Sequence, residues 1–212
     1  MVIEDLATGW RGQVADKLTS PAEAMAIVRP GDTVWMGAAG SVPTTLCDAL
    51  AGRAEELPGV TVATLLTAYD WDRPELLQHF RIRSGYTGPL ERAAVQAGRF
   101  EYVPVAAIRE GRMPNGFDLA YDVAAIPISP PDAGGYCSFG AYVFFGPTIA
   151  ATAKQLVGEV HPEFIRTGGQ NRIHISKFAR LAEAAGPPLP VSSAALAGGR
   201  PRRRGDLHAH RR

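Results

Sequence analysis

The sequence predicts an α/β fold built on a parallel sheet with crossover helices. Three observations carry that prediction. The first part of the chain runs helix, strand, glycine turn, helix, strand, the order that lays parallel strands side by side under covering helices. The run YDVAAIPI (residues 121–128) is apolar at both odd and even positions, as a strand in the middle of such a sheet must be. Two glycine-bearing stretches, GAAGSVP (residues 37–43) and SPPDAGGYCSFG (residues 129–140), directly follow apolar strands. At such points a bare backbone allows a tight turn or the close approach of a ligand.

The elements follow in order. In TSPAEAMAIV, Ser20 caps a helix, Pro21 takes its first position and Glu23 reaches back to complete a capping box, so a helix is expected from Pro21 to about Val28. Pro30 and Gly31 break it before the β-branched strand TVWMG. Leu46, Leu50 and Leu57, with Ala49 and Ala54, give TTLCDALAGRAEEL an amphipathic helical spacing, and GVTVATLLT reads as the next buried strand. RPELLQHF and GPLERAAVQAG read as helices, and VPVAAIREG as a short helix between turns. Beyond YDVAAIPI, PTIAATAKQL (residues 147–156) reads as a helix opened by proline, VGEVHP as a strand and NRIHIS as one more. From about Gly186 the sequence turns to proline, small residues and arginine, which cannot bury enough apolar surface to offset the entropy of ordering. Disorder is expected from about Ser192, which sets the expected organisation at one domain over residues 1–191 and a basic tail over 192–212.

Composition narrows the class. With 212 residues, 46% of them hydrophobic and 20% charged, the chain is long enough for a substantial core and reads as globular. No apolar run reaches the roughly 20 residues that span a bilayer, and MVIEDLATGW carries acids where a secretory signal has its basic and apolar regions. A cytoplasmic location is the expectation. Cys47 and Cys137 stand ninety positions apart without a CxxC, which points to reduced, buried residues and to no metal site. The net charge of +1 conceals a division. Residues 199–212 hold six arginines and one aspartate, leaving the body sixteen basic residues against twenty acidic ones, out of 22 and 21 in the whole chain.

Four stretches, KLTSPAEAMAIVRPGDTVWMG with the following SVPTTLCDAL, SPPDAGGYCSFG, GEVHPEFIRTGGQNRIHIS and FARLAEAAGPPLP, occur in the order and spacing of the N-terminal half of the acetyl-CoA hydrolase/transferase family. The chain resembles that family over roughly residues 10–190. The resemblance implies a domain of the NagB/RpiA/CoA-transferase type, paired in family members with a second, related domain, with acyl-CoA bound between the two. Coenzyme A is then a co-substrate, with no permanently bound cofactor. It implies further that a glutamate of the second domain attacks the thioester, and that CoA passes through an anhydride and a glutamyl thioester to a carboxylate or is lost to water, one hard exchange divided into easier steps. No acidic residue occurs between Glu183 and Asp206, so that glutamate has no counterpart here.

The resemblance and the glycine pattern together nominate a set of site residues. Gly37, Gly40 and Pro43 form a strand-to-helix turn whose amides can meet an anion or a carbonyl oxygen; the alternative is a purely structural turn, since GAAG is not GxGxxG. Gly135, Tyr136 and Ser138 lie, by resemblance, on a loop facing the interdomain cleft. Gly168, Gly169 and Gln170 form another turn able to approach the acyl group. His161 stands where the family usually has asparagine and reads as a hydrogen-bonded strand-end residue rather than a general base, and Glu159 as an acid that is not the nucleophile. Three readings stay open: the N-terminal half of a CoA-transferase or acyl-CoA hydrolase cut short by a frameshift or early stop, inactive alone; one subunit of a split enzyme, with an exposed apolar face where the other half docks; and a binding module that uses the arginine tail on phosphates. The last is disfavoured by an acidic body and a tail without aromatics. Homo-oligomerisation is a further expectation.

Overall fold

β6 (Val123–Ile128) is buried at all six positions, and around it a computed structural model shows an eight-stranded sheet. The structure describes residues 9–104, 121–141, 143 and 145–189. The other strands of the sheet are β1 (Leu18–Thr19), β2 (Thr33–Ala38), β3 (Thr61–Leu65), β4 (Arg81–Ser84), β5 (Glu101–Tyr102), β8 (Gln155–Val160) and β10 (Arg180–Glu183). They lie in the order β1-β10-β8-β6-β2-β3-β4-β5. Every pairing in the sheet is parallel. A separate antiparallel ribbon pairs β7 (Tyr136–Ser138) with β9 (Arg172–His174).

Alternation along the strands divides the core into two layers. Val34 and Met36 of β2 face one cluster, with Met25, Leu46, Leu50, Val62, Trp71 and Ile82. Trp35, between them, faces the other, with Trp10, Ile126, Ile128, Phe139, Phe178 and Leu181. Helices α2 (Pro21–Met25), α3 (Thr44–Ala51), α4 (Pro74–Leu77) and α5 (Pro89–Gln96) place buried residues in the first cluster or beside it. α1 (residues 9–13), α6 (Gly146–Thr152) and the ribbon supply the second. The result is three layers, with the sheet covered on both faces as a parallel sheet requires.

Local signals explain most boundaries. Ser20 and Glu23 make the reciprocal capping box that opens α2, but the helix ends at Met25, short of Val28. The long amphipathic helix expected over residues 44–57 stops at Ala51, where Gly52 breaks it, and resumes only as a 3-10 turn at Ala54–Glu56. α6 ends at Thr152, and residues 155–156, expected as helix, already belong to β8. Four strands of the main sheet have no counterpart among the expected elements: β1 and β5 have two residues each, and β4 and β10, RIRS and RLAE, alternate charge with apolar side chains as edge-side strands do. NRIHIS is a strand only over Arg172–His174, and it joins the ribbon rather than the sheet. The helix expected at VPVAAIREG and the tail from Ser192 fall largely or wholly outside the described residues. Among the described residues, no helix is long and apolar enough to cross a membrane.

Candidate functional site

The chain moves from β2 outward through β3, β4 and β5, then returns to place β6 on the other side of β2 and continues outward through β8 and β10. The reversal between β2 and β6 is a topological switch point, and ligands of open α/β sheets bind outside the carboxyl ends of the strands at such a point. Here the two strands pair only at Val34↔Val123 and Trp35↔Ala124. Beyond that they diverge, and a small cleft opens between their carboxyl ends, lined by Trp35, Gly37, Ser41, Ile126, Phe139 and Phe145.

One wall of the crevice is the turn after β2. Gly37 has φ +85°, and a Cβ there would lie 2.2 Å from the carbonyl oxygen of Ser41, so only glycine lets the chain fold back so tightly. Ala39 is left-handed too, at φ 51°, a conformation costly for a residue with a side chain. Gly40 lies in the 3-10 turn Ala39–Ser41, and Pro43 is the N-cap of α3. Pro43 gives that helix no side-chain cap. The cap comes from across the sheet: Glu159 Oε2 accepts from the Leu46 amide at 2.9 Å.

Glu159 is fully buried, and its other oxygen lies 2.8 Å from His161 Nε2. His161, one residue past β8 and itself buried, stacks on Phe164 with ring centroids 5.4 Å apart. Phe164 in turn fills the space that a side chain at Gly140 would need, since a Cβ there would stand 2.3 Å from Cε1. Both oxygens of Glu159 are therefore committed to folding, one to a helix terminus and one to an imidazole.

The second wall is the SPPDAGGYCSFG loop, which closes on itself. Ser129 and Ser138 exchange backbone and hydroxyl hydrogen bonds, and Asp132 Oδ1 accepts from the amides of Gly134 and Tyr136 at 3.0 and 2.9 Å. Gly135 has φ +78°, and the close approach it permits is to His174, whose Nε2 is 2.6 Å from where a Cβ would stand. Tyr136 is exposed, its ring edge-on to His174 and under the guanidinium of Arg172. Ser138 is buried, and its hydroxyl accepts from the amides of Gly140 and Thr167.

That last bond brings in the third nominated turn. Gly168, Gly169 and Gln170 are exposed, with open space around both glycines, and the residues on either side of them bond the other loops. Thr167 Oγ1 and Asn171 Nδ2 each donate to the carbonyl of Gly140 at 2.9 Å. Arg166 donates to the carbonyls of Pro130 and Tyr136. Arg166, Thr167 and Asn171 are thus the residues that clasp the two loops, and none of them was nominated by the sequence pattern. A buried asparagine in an otherwise exposed turn is the feature that marks them, and burial is not visible in the sequence. Among the described residues, His161 Nδ1 and Asn171 Oδ1 are buried polar atoms without a protein partner.

The architecture, a covered parallel sheet with a crevice at its switch point, is that of a CoA-transferase-like α/β domain. The N-terminal domain of the acetyl-CoA hydrolase/transferase family matches residues 7–191, and the chain belongs to that family. It is 28% identical to the 4-hydroxybutyrate coenzyme A transferase of Clostridium kluyveri, over 86% of this chain and 43% of that protein. It is also 28% identical to the succinyl-CoA:cyclohexane-1-carboxylate CoA transferase of Geobacter metallireducens, over 87% of this chain and 42% of that one. Among solved structures, RipA from Yersinia pestis superposes with a TM-score of 0.75 at 28% identity, covering 92% of this chain and 47% of RipA. The 4-hydroxybutyrate CoA-transferase of Porphyromonas gingivalis superposes with a TM-score of 0.61 at 26% identity, covering 86% of this chain and 43% of that one. The chain spans less than half the length of the curated relatives it matches.

Proposed function

We propose that the chain forms one wall of an acyl-CoA site and works with a second half that carries the attacking carboxylate, in an enzyme moving CoA from a short-chain acyl-CoA to a carboxylate or to water. The divergence of β2 and β6 behind a turn with two left-handed residues, Gly37 and Ala39, is the observation that carries this reading. Strain held at a strand end next to a cleft is characteristic of functional sites. The buried carboxylate of Glu159, held by Leu46 and His161, is a structural group in this reading and not a nucleophile.

In the reaction, the second half's carboxylate attacks the thioester carbonyl, the C–S bond breaks, CoA leaves as thiolate and an anhydride forms. The thiolate returns to the protein-side carbonyl and the acyl carboxylate is released, giving the thioester that an acceptor carboxylate or water then resolves. We assign this chain two tasks: main-chain amides of the Ala39–Ser41 turn face the developing oxyanion, and the loops clasped by Arg166, Thr167 and Asn171 shape the acyl end. The four large apolar side chains most exposed among the described residues, Tyr86, Tyr102, Tyr136 and Ile165, fit a docking face for the second half. Tyr86, Tyr102 and Ile165 stand at or past the carboxyl ends of β4, β5 and β8, and Tyr136 opens β7, the next strand after β6.

The test is to incubate the purified chain with acetyl-CoA and butyrate, alone and with a separately expressed C-terminal half of the Clostridium kluyveri relative, and to follow acyl-CoA exchange chromatographically. The expected result is no turnover alone, and co-migration of the two halves with exchange above background. Turnover by the chain alone, or failure of the halves to associate, overturns the proposal.

A further inference from the structure

A second cleft, of about 460 Å³, lies on the other side of Phe139, which also lines the crevice. Lys154 and Leu156 border it at the start of β8, and Lys177 borders it ahead of β10, whereas the crevice lies where β2 and β6 finish. It runs between α6 and the β7–β9 ribbon. Ala150 and Ala151 of α6, with Ala153 just after it, line the cleft together with Phe139, Leu156 and Ile173. Its volume falls within the roughly 300–1,000 Å³ of small-molecule sites.

Its chemistry is one-sided. The floor is apolar, the rim carries Lys154, Arg172 and Lys177, and no acidic side chain lines it among the described residues. Lys154 is held in place by Asp122 at 2.7 Å, and that carboxylate is also engaged by the amide of Thr33. Arg172 is held with its guanidinium 5.1 Å from the Tyr136 ring centroid. Among the described residues, neither Arg172 nor Lys177 has a carboxylate within ion-pair distance. An apolar floor gains from covering by an alkyl chain, and unpaired cations at its edge gain from an anionic head, for which a guanidinium offers the planar match to a carboxylate.

We propose that this cleft binds a medium-chain alkyl carboxylate, chain on the Phe139–Leu156–Ile173 floor and head between Arg172 and Lys177. The site shares Phe139 with the acyl-CoA crevice, but its rim residues Arg172 and Lys177 do not line that crevice and its test needs no turnover, so either reading can fail without the other.

Isothermal titration calorimetry of the full chain with octanoate, octanol and acetate decides it, with Arg172→Glu, Lys177→Glu and the charge-matched control Arg92→Glu on the opposite helical layer. Circular dichroism melting confirms that each variant is folded. Saturable octanoate binding is expected, weakened about tenfold or more in each rim variant, as befits removal of one charge-assisted hydrogen bond to the carboxylate head, and unchanged in Arg92→Glu. Acetate and octanol should each bind at least about tenfold more weakly than octanoate, because each lacks one half of the recognition. Octanol equal to octanoate means an apolar surface only, acetate equal to octanoate means a bare anion site, and equal binding by the rim variants places the ligand elsewhere. Each of these, like an absence of octanoate binding, overturns the proposal.

Discussion

Replacing Glu159 by leucine removes an acceptor from two buried donors at once while keeping nearly the same volume. Glu159 is fully buried and accepts from Leu46 N at 2.9 Å, with His161 Nε2 at 2.8 Å. Leaving a buried donor unpaired costs about 1–3 kcal/mol, so two of them cost about 2–6 kcal/mol. Leucine also removes the cost of burying a carboxylate, which offsets part of this. A net loss of about 2–4 kcal/mol is expected for Glu159→Leu. Glu159→Gln keeps one acceptor oxygen and should lose about 1–2 kcal/mol, because its amide then meets the imidazole and forces the other tautomer. Urea unfolding followed by circular dichroism and tryptophan fluorescence measures both, provided the slope with denaturant stays constant. The decisive form is a double-mutant cycle with His161→Phe, which keeps an aromatic ring beside Phe164. Since the carboxylate and the imidazole are partners, the two losses should fall short of additive by about 1 kcal/mol or more. Strict additivity, or a Glu159→Leu protein as stable as the parent, would refute the assignment of Glu159 to folding and return it to the candidates for chemistry.

Three further outcomes test other parts of the structure. At Gly158 a Cβ would lie 2.5 Å from Leu181 and 2.9 Å from Ile128, so Gly158→Ala should cost about 1–3 kcal/mol by overpacking, whereas Gly168→Ala, with open space around it, should stay within about 0.5 kcal/mol; chemical denaturation of the pair checks the contrast. Burial holds the carboxyl of Glu91 above its ordinary value, against the hydrogen bonds from Gly88, Ser84 and Thr67 that lower it. Folding therefore disfavours its ionised form, and the stability difference between the parent and Glu91→Gln should shift toward the parent as pH falls from 7 toward the ordinary carboxylate range; a pH-independent difference would contradict this. Burial pushes the thiol of Cys137 up to about 12 and that of Cys47 well above its ordinary value, so native protein at neutral pH should take up no iodoacetamide while unfolded protein takes up two equivalents, as read by intact mass.

The parts of the fold legible in the sequence are those in which one residue type has one physical use. The apolar run of β6 is buried on both faces and could only be a central strand, and Ser20, Pro21 and Glu23 open α2 as a capping box does. Where a local signal has two outcomes, tertiary context decided. Gly52 inside an amphipathic pattern could be tolerated or could stop the helix; it stops it. RIRS and RLAE carry too little apolar character to be read as strands, and they become strands because β3 and β8 offer them a ladder.

The site shows the same division at finer scale. Glycines at 37 and 135 correctly point to places where the backbone comes close to something, but the sequence does not say to what. In the structure the partner is the chain itself, the Ser41 carbonyl at one and the His174 ring at the other. Gly37 therefore shapes the turn as well as lining the crevice, whereas Gly135 positions its loop, as does Ser138, whose hydroxyl is spent on the amides of Gly140 and Thr167. Substituting them would act through loop geometry and would lower stability together with any binding. Residues whose loss separates the two effects must have side chains that are exposed and uncommitted at the carboxyl ends of the strands. Tyr86 and Ile165 meet that requirement, being 60% and 58% exposed. If the second half docks there, Tyr86→Ser and Ile165→Ser leave the unfolding midpoint of the chain unchanged and weaken its association with that half, an interface effect that no loop-positioning residue can produce.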